Sequence, residues 1–215
     1  MRFMDRGHAG RHLAAALADE DIGNALVLAL PRGGVPVGAE IADALHLPFD
    51  LMLVRKLGVP GDEEIAMGAI AYGDVVVLNE FIIDGYEIAD SVVEDSLRHA
   101  RRELVRRNDL YRGGRAAPNV AGRRVILVDD GVATGADMRA AVESVDQQGA
   151  DHIIVAVPVA SRAAILLLRE VADEVITLCQ PDPFMGVGDQ YENFAPVSDA
   201  EVVNTLNAVH APALL

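Results

Sequence analysis

Short apolar runs alternate with segments of helical periodicity along most of the chain, and this alternation constrains the fold more than any other feature. Runs of this length suit buried strands, and the segments between them suit crossover helices. The sequence therefore predicts an α/β fold of three layers, with a mainly parallel sheet and helices on both faces. The predicted strands are 25–30, 50–54, 125–128, 153–157 and 174–178; the main predicted helices are 6–19, 36–45, 91–107, 137–148, 161–171 and one capped by Ser198 and Glu201.

The stretch between the second and third of these strands carries weaker signals. Residues 58–68 hold three glycines, one proline and three acidic residues, a composition that predicts a loop. Residues 69–71 and 75–78 flank Tyr72-Gly73-Asp74 and are predicted to form a hairpin. Ser91 and Glu94 have capping-box spacing, so the next helix is expected to begin at Ser91.

Composition limits the class of protein. The 215 residues are 51% hydrophobic, enough for one core, and we expect a single domain over 1–215. The 18 basic and 33 acidic residues leave a net charge of −15, which argues against binding to nucleic acids or anionic membranes. The single cysteine, Cys179, allows no disulfide framework, and no signal peptide or membrane span is evident, so we expect a cytoplasmic protein.

One segment brings acidic residues to the end of a buried strand. It runs from Val125 to Gly135 and reads VILVDDGVATG, with a helix predicted to follow. The start of that helix directs main-chain N–H groups at the loop, which suits a phosphate. Asp129 and Asp130 would repel a phosphate unless they face a sugar diol or a metal ion. The alternatives are a surface turn with two capping acids and a magnesium-dependent phosphatase, although the alternating acid pair usual in such phosphatases is absent.

This segment resembles the binding motif for 5-phosphoribosyl-1-pyrophosphate (PRPP) of type I phosphoribosyltransferases. The resemblance covers about residues 25–178 and implies the three-layer fold of that family with a small hood. It implies that Asp129 and Asp130 bind the ribose hydroxyls and the Mg²⁺ cofactor. The 5-phosphate would be bound by the loop that follows, which consists of Gly131, Val132, Ala133, Thr134, Gly135, Ala136 and Asp137.

Two other strand ends fit the same resemblance. Arg32, Gly33 and Gly34 follow the first strand and are similar to the family's pyrophosphate loop, in which glycine amides and an arginine meet the anion. Arg55 and Lys56 end the second strand, and Lys56 is the only lysine in the chain. The alternative for residues 32–34 is an ordinary turn between a strand and a helix, and the alternative for Lys56 is a surface lysine without a function. Residues 57–67 then lie where the family has its mobile catalytic lid.

The ends of the chain are candidates for the hood that selects the acceptor. The hood candidates are residues 1–8, which include Phe3, and residues 180–197. Phe184, Tyr191 and Phe194 could stack on a planar base; the alternative is that each packs the loop against the core.

Two positions depart from the family pattern. Ala133 stands where hypoxanthine-guanine phosphoribosyltransferases have a carboxylate that assists proton transfer at the purine. A 6-oxopurine acceptor that depends on such a carboxylate is therefore disfavoured. Asp137 stands where the family usually has Thr or Ser donating to the 5-phosphate, so phosphate affinity and catalysis are in question. The alternative role for Asp137 is a first-turn acid favourable to the helix dipole.

The resemblance implies transfer of phosphoribose from PRPP to a nitrogen acceptor, with release of pyrophosphate. Lys56, Arg32 and Asp130 are the expected catalytic residues, because they would stabilise the leaving pyrophosphate and the sugar. The expected partners are PRPP, an acceptor that the sequence does not identify, and a second copy of the chain in a homodimer. A non-catalytic PRPP-binding regulatory module and a purely structural α/β domain are the alternatives.

Overall fold

The computed structural model describes residues 2–210, apart from the side chains of Glu64 and His210. Met1 and residues 211–215, which belong to the predicted single domain, lie outside the described part. The strands are β1 (Leu26–Ala29), β2 (Phe49–Leu51), β3 (Val54–Val59), β4 (Asp62–Ala71), β5 (Val75–Leu78), β6 (Arg124–Val128), β7 (His152–Val159) and β8 (Glu174–Cys179). The helices are α1 (Arg6–Leu17), α2 (Gly34–Leu45), α3 (Glu80–Gly85), α4 (Asp90–Arg112), α5 (Ala136–Gln147), α6 (Arg162–Leu168) and α7 (Asp199–His210).

The main sheet is parallel, as the sequence predicts, and its strand order is β2-β1-β6-β7-β8. Its central strands β1 and β6 are buried at nearly every position, which agrees with their unbroken apolar runs. They pair in register from Leu26 with Val125 to Ala29 with Val128. Two segments predicted to bind the ligand therefore leave the sheet side by side.

Side chains of β1 alternate between two apolar layers. Val27 and Ala29 pack in a cluster with residues of α1, α2 and α7. Leu26 and Leu28 pack in a second cluster with residues of α5 and α6. The predicted three-layer arrangement, helices–sheet–helices, is confirmed. None of the helices within residues 2–210 is both long and apolar enough to cross a membrane.

The prediction of a loop over 58–68 is wrong. Strands β3 and β4 form an antiparallel hairpin there, and β5 pairs with β4 to make a separate three-stranded sheet. Gly58 lies at a shift in register, where a Cβ would come within 2.8 Å of Glu63 Cα. Gly61 has φ +85° between the strands. These glycines serve a bulge and a turn within a hairpin, so their number does not indicate a loop. The predicted hairpin of 69–71 with 75–78 is confirmed.

Helix starts were predicted with mixed success. Ser198 and Glu201 form the expected capping box, in which Ser198 Oγ accepts from Glu201 N–H and Glu201 Oε2 accepts from Ser198 N–H. Ser91 is not a cap, because α4 already begins at Asp90 and the residue before it, Ala89, has extended backbone. The helix also continues beyond residue 107 to Arg112. The short helix α3, capped by Asn79, was not predicted.

Candidate functional site

The loops after β1 and β6 lie against each other at the carboxyl edge of the main sheet. Leu30 N–H donates to Val128 O at 2.8 Å, which continues the pairing of the two strands into the loops. The peptide bond between Pro31 and Arg32 is cis. Arg32 and Asp130 thus belong to adjacent loops at the edge where parallel sheets bind their ligands.

Two glycines allow this close contact between the loops. A Cβ on Gly33 would lie 2.1 Å from Asp130 Oδ2, and a Cβ on Gly34 would lie 2.5 Å from Val128 O. A side chain at Gly33 would displace the Asp130 carboxylate, and one at Gly34 would meet the main chain of Val128 and Asp129. The two glycines therefore let the predicted pyrophosphate loop pack directly on the predicted ribose-binding acids.

The loop from Gly131 to Gly135 is anchored on its far side by the segment between β7 and α6. Val132 N–H donates to Val159 O at 2.8 Å, and Ser161 Oγ donates to Ala133 O at 2.6 Å. Thr134 is exposed, and Gly135, with φ +88°, is the residue from which α5 begins. Main-chain N–H groups at the start of α5 and the Thr134 hydroxyl are thus available to an anion in this loop.

Asp129 and Asp130 are an electrostatically costly pair. Burial, then the charges of Asp130 and Asp137, raise the pKa of Asp129 well above its ordinary value, although its carboxylate accepts from Asp130 N–H at 2.8 Å. Burial also raises the pKa of Asp130, against the opposing effect of Arg6. Buried carboxylates with raised pKa values that lie at a ligand-binding edge are candidates for binding cations or hydroxyl groups.

Arg6 at the start of α1 partly compensates this charge. Its Nε and Nη2 each lie 2.8 Å from Asp130 Oδ2, and both side chains are nearly buried, with 11% and 13% exposed. Arg6 Nη1 donates to Ala195 O at 2.8 Å. Its guanidinium carbon also lies 4.0 Å from the centre of the Phe194 ring. Arg6 therefore connects the acidic pair to the loop before α7.

The two segments proposed as a hood pack against each other beside Asp130. Phe3 pairs with Tyr191 through the main chain, and the two ring centres are 5.5 Å apart. Tyr191 is almost fully buried, stacks on Phe194 at 5.0 Å, and donates its hydroxyl to Asp130 O at 2.6 Å. Phe184 is half-buried at the edge of the same cluster. The stacking of these rings on an acceptor remains a prediction.

A cavity of about 290 Å³ lies between the acidic pair and the start of β3. Its charged lining consists of three cations and two carboxylates, namely Arg55, Lys56, Arg107, Asp129 and Asp137. Among the residues whose side chains are described, neither Arg55 nor Lys56 has an ion pair within 4.0 Å. The prediction that Arg55 and Lys56 end the second strand of the main sheet is wrong, because that strand, β2, ends at Leu51 and the pair lies within β3 of the antiparallel sheet. The pair and Asp129 nevertheless line one small cavity.

Arg32 lies apart from this cavity lining. Half of its side chain is exposed, and Nη1 is 3.8 Å from Asp199 Oδ1. Asp199 also accepts from the Tyr111 hydroxyl at 2.6 Å. Burial and that hydrogen bond raise the pKa of Tyr111 to about 12. The Arg32 guanidinium therefore pairs with Asp199 at long range and is accessible to solvent.

The carboxylates fit a magnesium ion that arrives with a phosphorylated ligand. Within the described side chains, no group of three or more His, Cys, Asp or Glu is arranged to hold a metal ion. Mg²⁺ commonly binds through one or two carboxylates while ligand oxygens and waters complete its coordination. Asp129 and Asp130 supply that donor set.

Sequence reasoning missed two functional candidates, Arg6 and Arg107. Arg6 is separated from Asp130 by 124 positions in sequence, and Arg107 reaches the cavity from α4. Neither belongs to a local motif. For Arg107 the signal that could have been used is weak: a basic residue three positions after the buried Leu104 on an amphipathic helix.

Comparison with known proteins gives consistent matches. Residues 4–191 match the family described as "Phosphoribosyl transferase domain". The Mycobacterium tuberculosis protein named "Putative phosphoribosyl transferase Rv0571c" is 42% identical over 208 residues, which are 97% of this chain and 47% of that protein. The chain thus spans about half the length of the curated relatives that it matches.

Two solved structures share the fold of this chain. The crystal structure of TT1426 from Thermus thermophilus has a TM-score of 0.89 and 44% identity, and the alignment covers 96% of this chain and 98% of that one. The AQ2163 protein of Aquifex aeolicus has a TM-score of 0.50 and 13% identity over 86% of this chain and 84% of its own, a likeness of fold alone.

Proposed function

Because the chain belongs to the phosphoribosyl transferase family, we propose that it transfers phosphoribose from PRPP to a nitrogen acceptor and releases pyrophosphate. The observation that carries this proposal is the contact between two loops, in which Gly33 and Gly34 pack directly on the Asp129-Asp130 pair. This contact sets two anion-binding main-chain segments around a pair of carboxylates. A sugar with phosphate groups at both ends presents the matching chemistry.

Each part of PRPP has proposed contacts. Asp129 and Asp130 accept hydrogen bonds from the ribose hydroxyls, and the loop from Gly131 to Asp137 binds the 5-phosphate with its amides and the Thr134 hydroxyl. The pyrophosphate lies between the Arg32–Gly34 loop and the cavity that Arg55 and Lys56 line. In a chain of net charge −15, this local group of cations is what allows a polyanion to bind.

The proposed reaction needs little acid–base chemistry. The bond between ribose C1 and the pyrophosphate oxygen breaks, and its electron pair leaves with pyrophosphate. The acceptor nitrogen then bonds to C1 and releases its proton to solvent water. Arg32 and Lys56 neutralise charge on the leaving group, while Asp130 orients the sugar. A magnesium ion, when bound through Asp129 and Asp130, would supply further charge neutralisation.

The acceptor is proposed to enter under the hood. Arg6, Phe194 and Ala195 close this side over Asp130, so the acceptor would approach C1 beside them. Ala133 offers no carboxylate for proton transfer, which disfavours 6-oxopurines handled in that way. Of the aromatic candidates, the half-buried Phe184 and Phe194 would then select for a planar group, while the buried Tyr191 would support Phe194 by packing against it.

A non-catalytic PRPP-binding regulatory module is the second candidate, and Asp137 favours it. The Asp137 carboxylate lines the cavity and adds to the effect that raises the pKa of Asp129. An acid in that place opposes binding of phosphate groups. A protein that only senses PRPP tolerates weaker binding and needs no turnover.

The test measures PRPP-dependent release of pyrophosphate in the presence of Mg²⁺ against a panel of nucleobases and other nitrogen compounds. Turnover with any acceptor supports the transferase, whereas PRPP binding without turnover for every acceptor supports the module. The double variant Asp129→Asn, Asp130→Asn is expected to abolish Mg²⁺-dependent PRPP binding while remaining folded. The matched control is Asp146→Asn, Asp151→Asn, which removes the same charge from exposed positions. If the first double variant binds PRPP as the parent does, the site assignment is wrong.

A further inference from the structure

Arg107 is an unassigned cation at the cavity that Arg55 and Lys56 line. It belongs to the long helix α4, whereas Arg55 and Lys56 belong to β3. Two-thirds of its side chain is covered, and the cavity brings it together with Lys56 and Asp129. Arg107 therefore approaches the carboxyl edge of the main sheet from an element that none of the sequence motifs includes.

Glu103 holds Arg107 by one edge only. Arg107 Nε donates to Glu103 Oε1 at 2.9 Å, one helical turn away. Arg106 donates to the same carboxylate through two nitrogens, Nε at 2.8 Å and Nη2 at 2.9 Å. Hydrogen bonds from Arg106 and Arg107 lower the pKa of Glu103 to about 2, so the three side chains together carry one net positive charge.

The outer nitrogens of Arg107 are free for a ligand. Among the described residues, its two terminal nitrogens make no hydrogen bond, since the contact to Glu103 uses Nε. A guanidinium fixed at Nε presents its remaining N–H groups as a planar fork, a geometry that matches phosphate oxygens. Arg106 uses two of its three nitrogens on Glu103, does not line the cavity and is more exposed, with 59% of its side chain accessible.

We propose that Arg107 is a third cationic ligand, with Arg55 and Lys56, for the diphosphate group of PRPP and for free pyrophosphate. This inference rests on the function proposed above. Glu103 acts as a positioning residue that holds the guanidinium toward the cavity. The contact is assigned to the diphosphate end because Arg107 shares the cavity with Arg55 and Lys56, whereas the residue that the 5-phosphate loop contributes to this lining is the acidic Asp137. Arg107 therefore discriminates diphosphate-bearing ligands from ribose 5-phosphate.

Titration calorimetry with inorganic pyrophosphate and Mg²⁺, and separately with ribose 5-phosphate, tests the proposal. Arg107→Gln is expected to weaken pyrophosphate binding by about 10–100-fold, the range for losing hydrogen bonds to a charged group. Its affinity for ribose 5-phosphate should stay at the parental value. Arg107→Lys keeps the charge but loses the planar fork and should recover part of the pyrophosphate affinity.

The control is Arg106→Gln. It also removes one positive charge that is hydrogen-bonded to Glu103, but Arg106 does not line the cavity. Equal pyrophosphate affinities for Arg107→Gln and the parent, or equal losses for Arg106→Gln and Arg107→Gln, would overturn the role of Arg107. Equal losses for both ligands in Arg107→Gln would point to structural damage and also overturn it, with melting temperature and the Arg107→Lys variant as checks on folding. A parent that binds neither ligand, nor PRPP, would refute the proposed function itself and Arg107's role with it.

Discussion

Replacing Asp129 by Asn is expected to stabilise the ligand-free protein at neutral pH while removing its ligand site. Burial and the charges of Asp130 and Asp137 raise the pKa of Asp129, so the folded state disfavours the ionised carboxyl. Asn has nearly the same shape, and its side-chain oxygen can still accept from Asp130 N–H. The substitution therefore removes an unfavourable charge and keeps the local hydrogen bond.

The size of this effect follows first from the burial of Asp129 and then from the charges around it. Two like charges about 5–6 Å apart repel by roughly 3 kcal/mol at an effective dielectric constant of about 20. Arg6, at 2.8 Å from Asp130, cancels part of that repulsion. A net gain of about 1–3 kcal/mol in the free energy of unfolding is expected at neutral pH, and each kcal/mol raises the Tm of a domain this size by roughly 2–4 °C.

The raised pKa of Asp129 also determines how the stability difference between Asp129→Asn and the parent changes with pH. A carboxyl whose pKa is raised in the folded state is neutral in both states below the unfolded value, near 3.8, and imposes no penalty there. The penalty grows as the pH rises from that value through the folded pKa, and is complete above it. The stabilisation of Asp129→Asn over the parent should therefore be small in acid and largest at neutral pH.

Denaturant unfolding of the parent, Asp129→Asn and the exposed control Asp146→Asn across this pH range measures the effect, without PRPP or Mg²⁺. The control should follow the parent at every pH. If Asp129→Asn is less stable than the parent at neutral pH, or if its advantage grows toward acid, the charge of Asp129 does not have the effect argued here. PRPP with Mg²⁺ should stabilise the parent and leave the variant unchanged, since ligands stabilise only the form that binds them.

Three further substitutions address neighbouring side chains. Lys56→Ala should weaken pyrophosphate binding, measured by calorimetry, while changing the free energy of unfolding by less than about 0.5 kcal/mol; parallel losses of melting temperature and activity would indicate a structural role instead. Asp137→Thr should tighten ribose 5-phosphate binding, because it removes a repulsion of roughly 1–4 kcal/mol and adds a hydroxyl donor; unchanged or weaker affinity by calorimetry would show that Asp137 does not oppose phosphate. Arg6→Gln should lower the free energy of unfolding by about 2–4 kcal/mol in denaturant titrations, because Asp130 loses the partner of a largely buried ion pair; an unaltered midpoint would contradict that.

The parts of the structure that the sequence predicted are those set by local physics. The apolar run Val125–Val128 and the glycines that follow specify a buried strand and a tight loop, wherever the rest of the chain lies. The same holds for the strand before Pro31. The carboxyl edge then brings the two loops together through a general property of parallel sheets. For this reason the three-layer fold and the contact between the Arg32–Gly34 loop and Asp129-Asp130 were both accessible from sequence.

The parts that escaped prediction depend on distant partners. Gly58 favours a loop when read alone, and only pairing with the strand around Glu63 explains it as a bulge. Arg6 faces Asp130 because the start of α1 lies beside the loop after β6, and nothing near residue 6 in sequence indicates an acidic partner. Arg107 reaches the cavity because α4 packs against β3. Charge alone could not separate it from Arg106, which has the same local surroundings.

The attachment between the two hood segments is made largely by the main chain. Phe3 N–H donates to Gln190 O at 2.7 Å, Glu192 N–H donates to Phe3 O at 2.8 Å, and Asn193 N–H donates to Met4 O at 2.9 Å. Hydrogen bonds of this kind do not depend on which side chains the residues carry. Exposed positions such as Met4 and Asn193 can therefore diverge during evolution without detaching the segment, so under the proposed function changes confined to these two stretches would alter the acceptor and leave the loops after β1 and β6 unchanged.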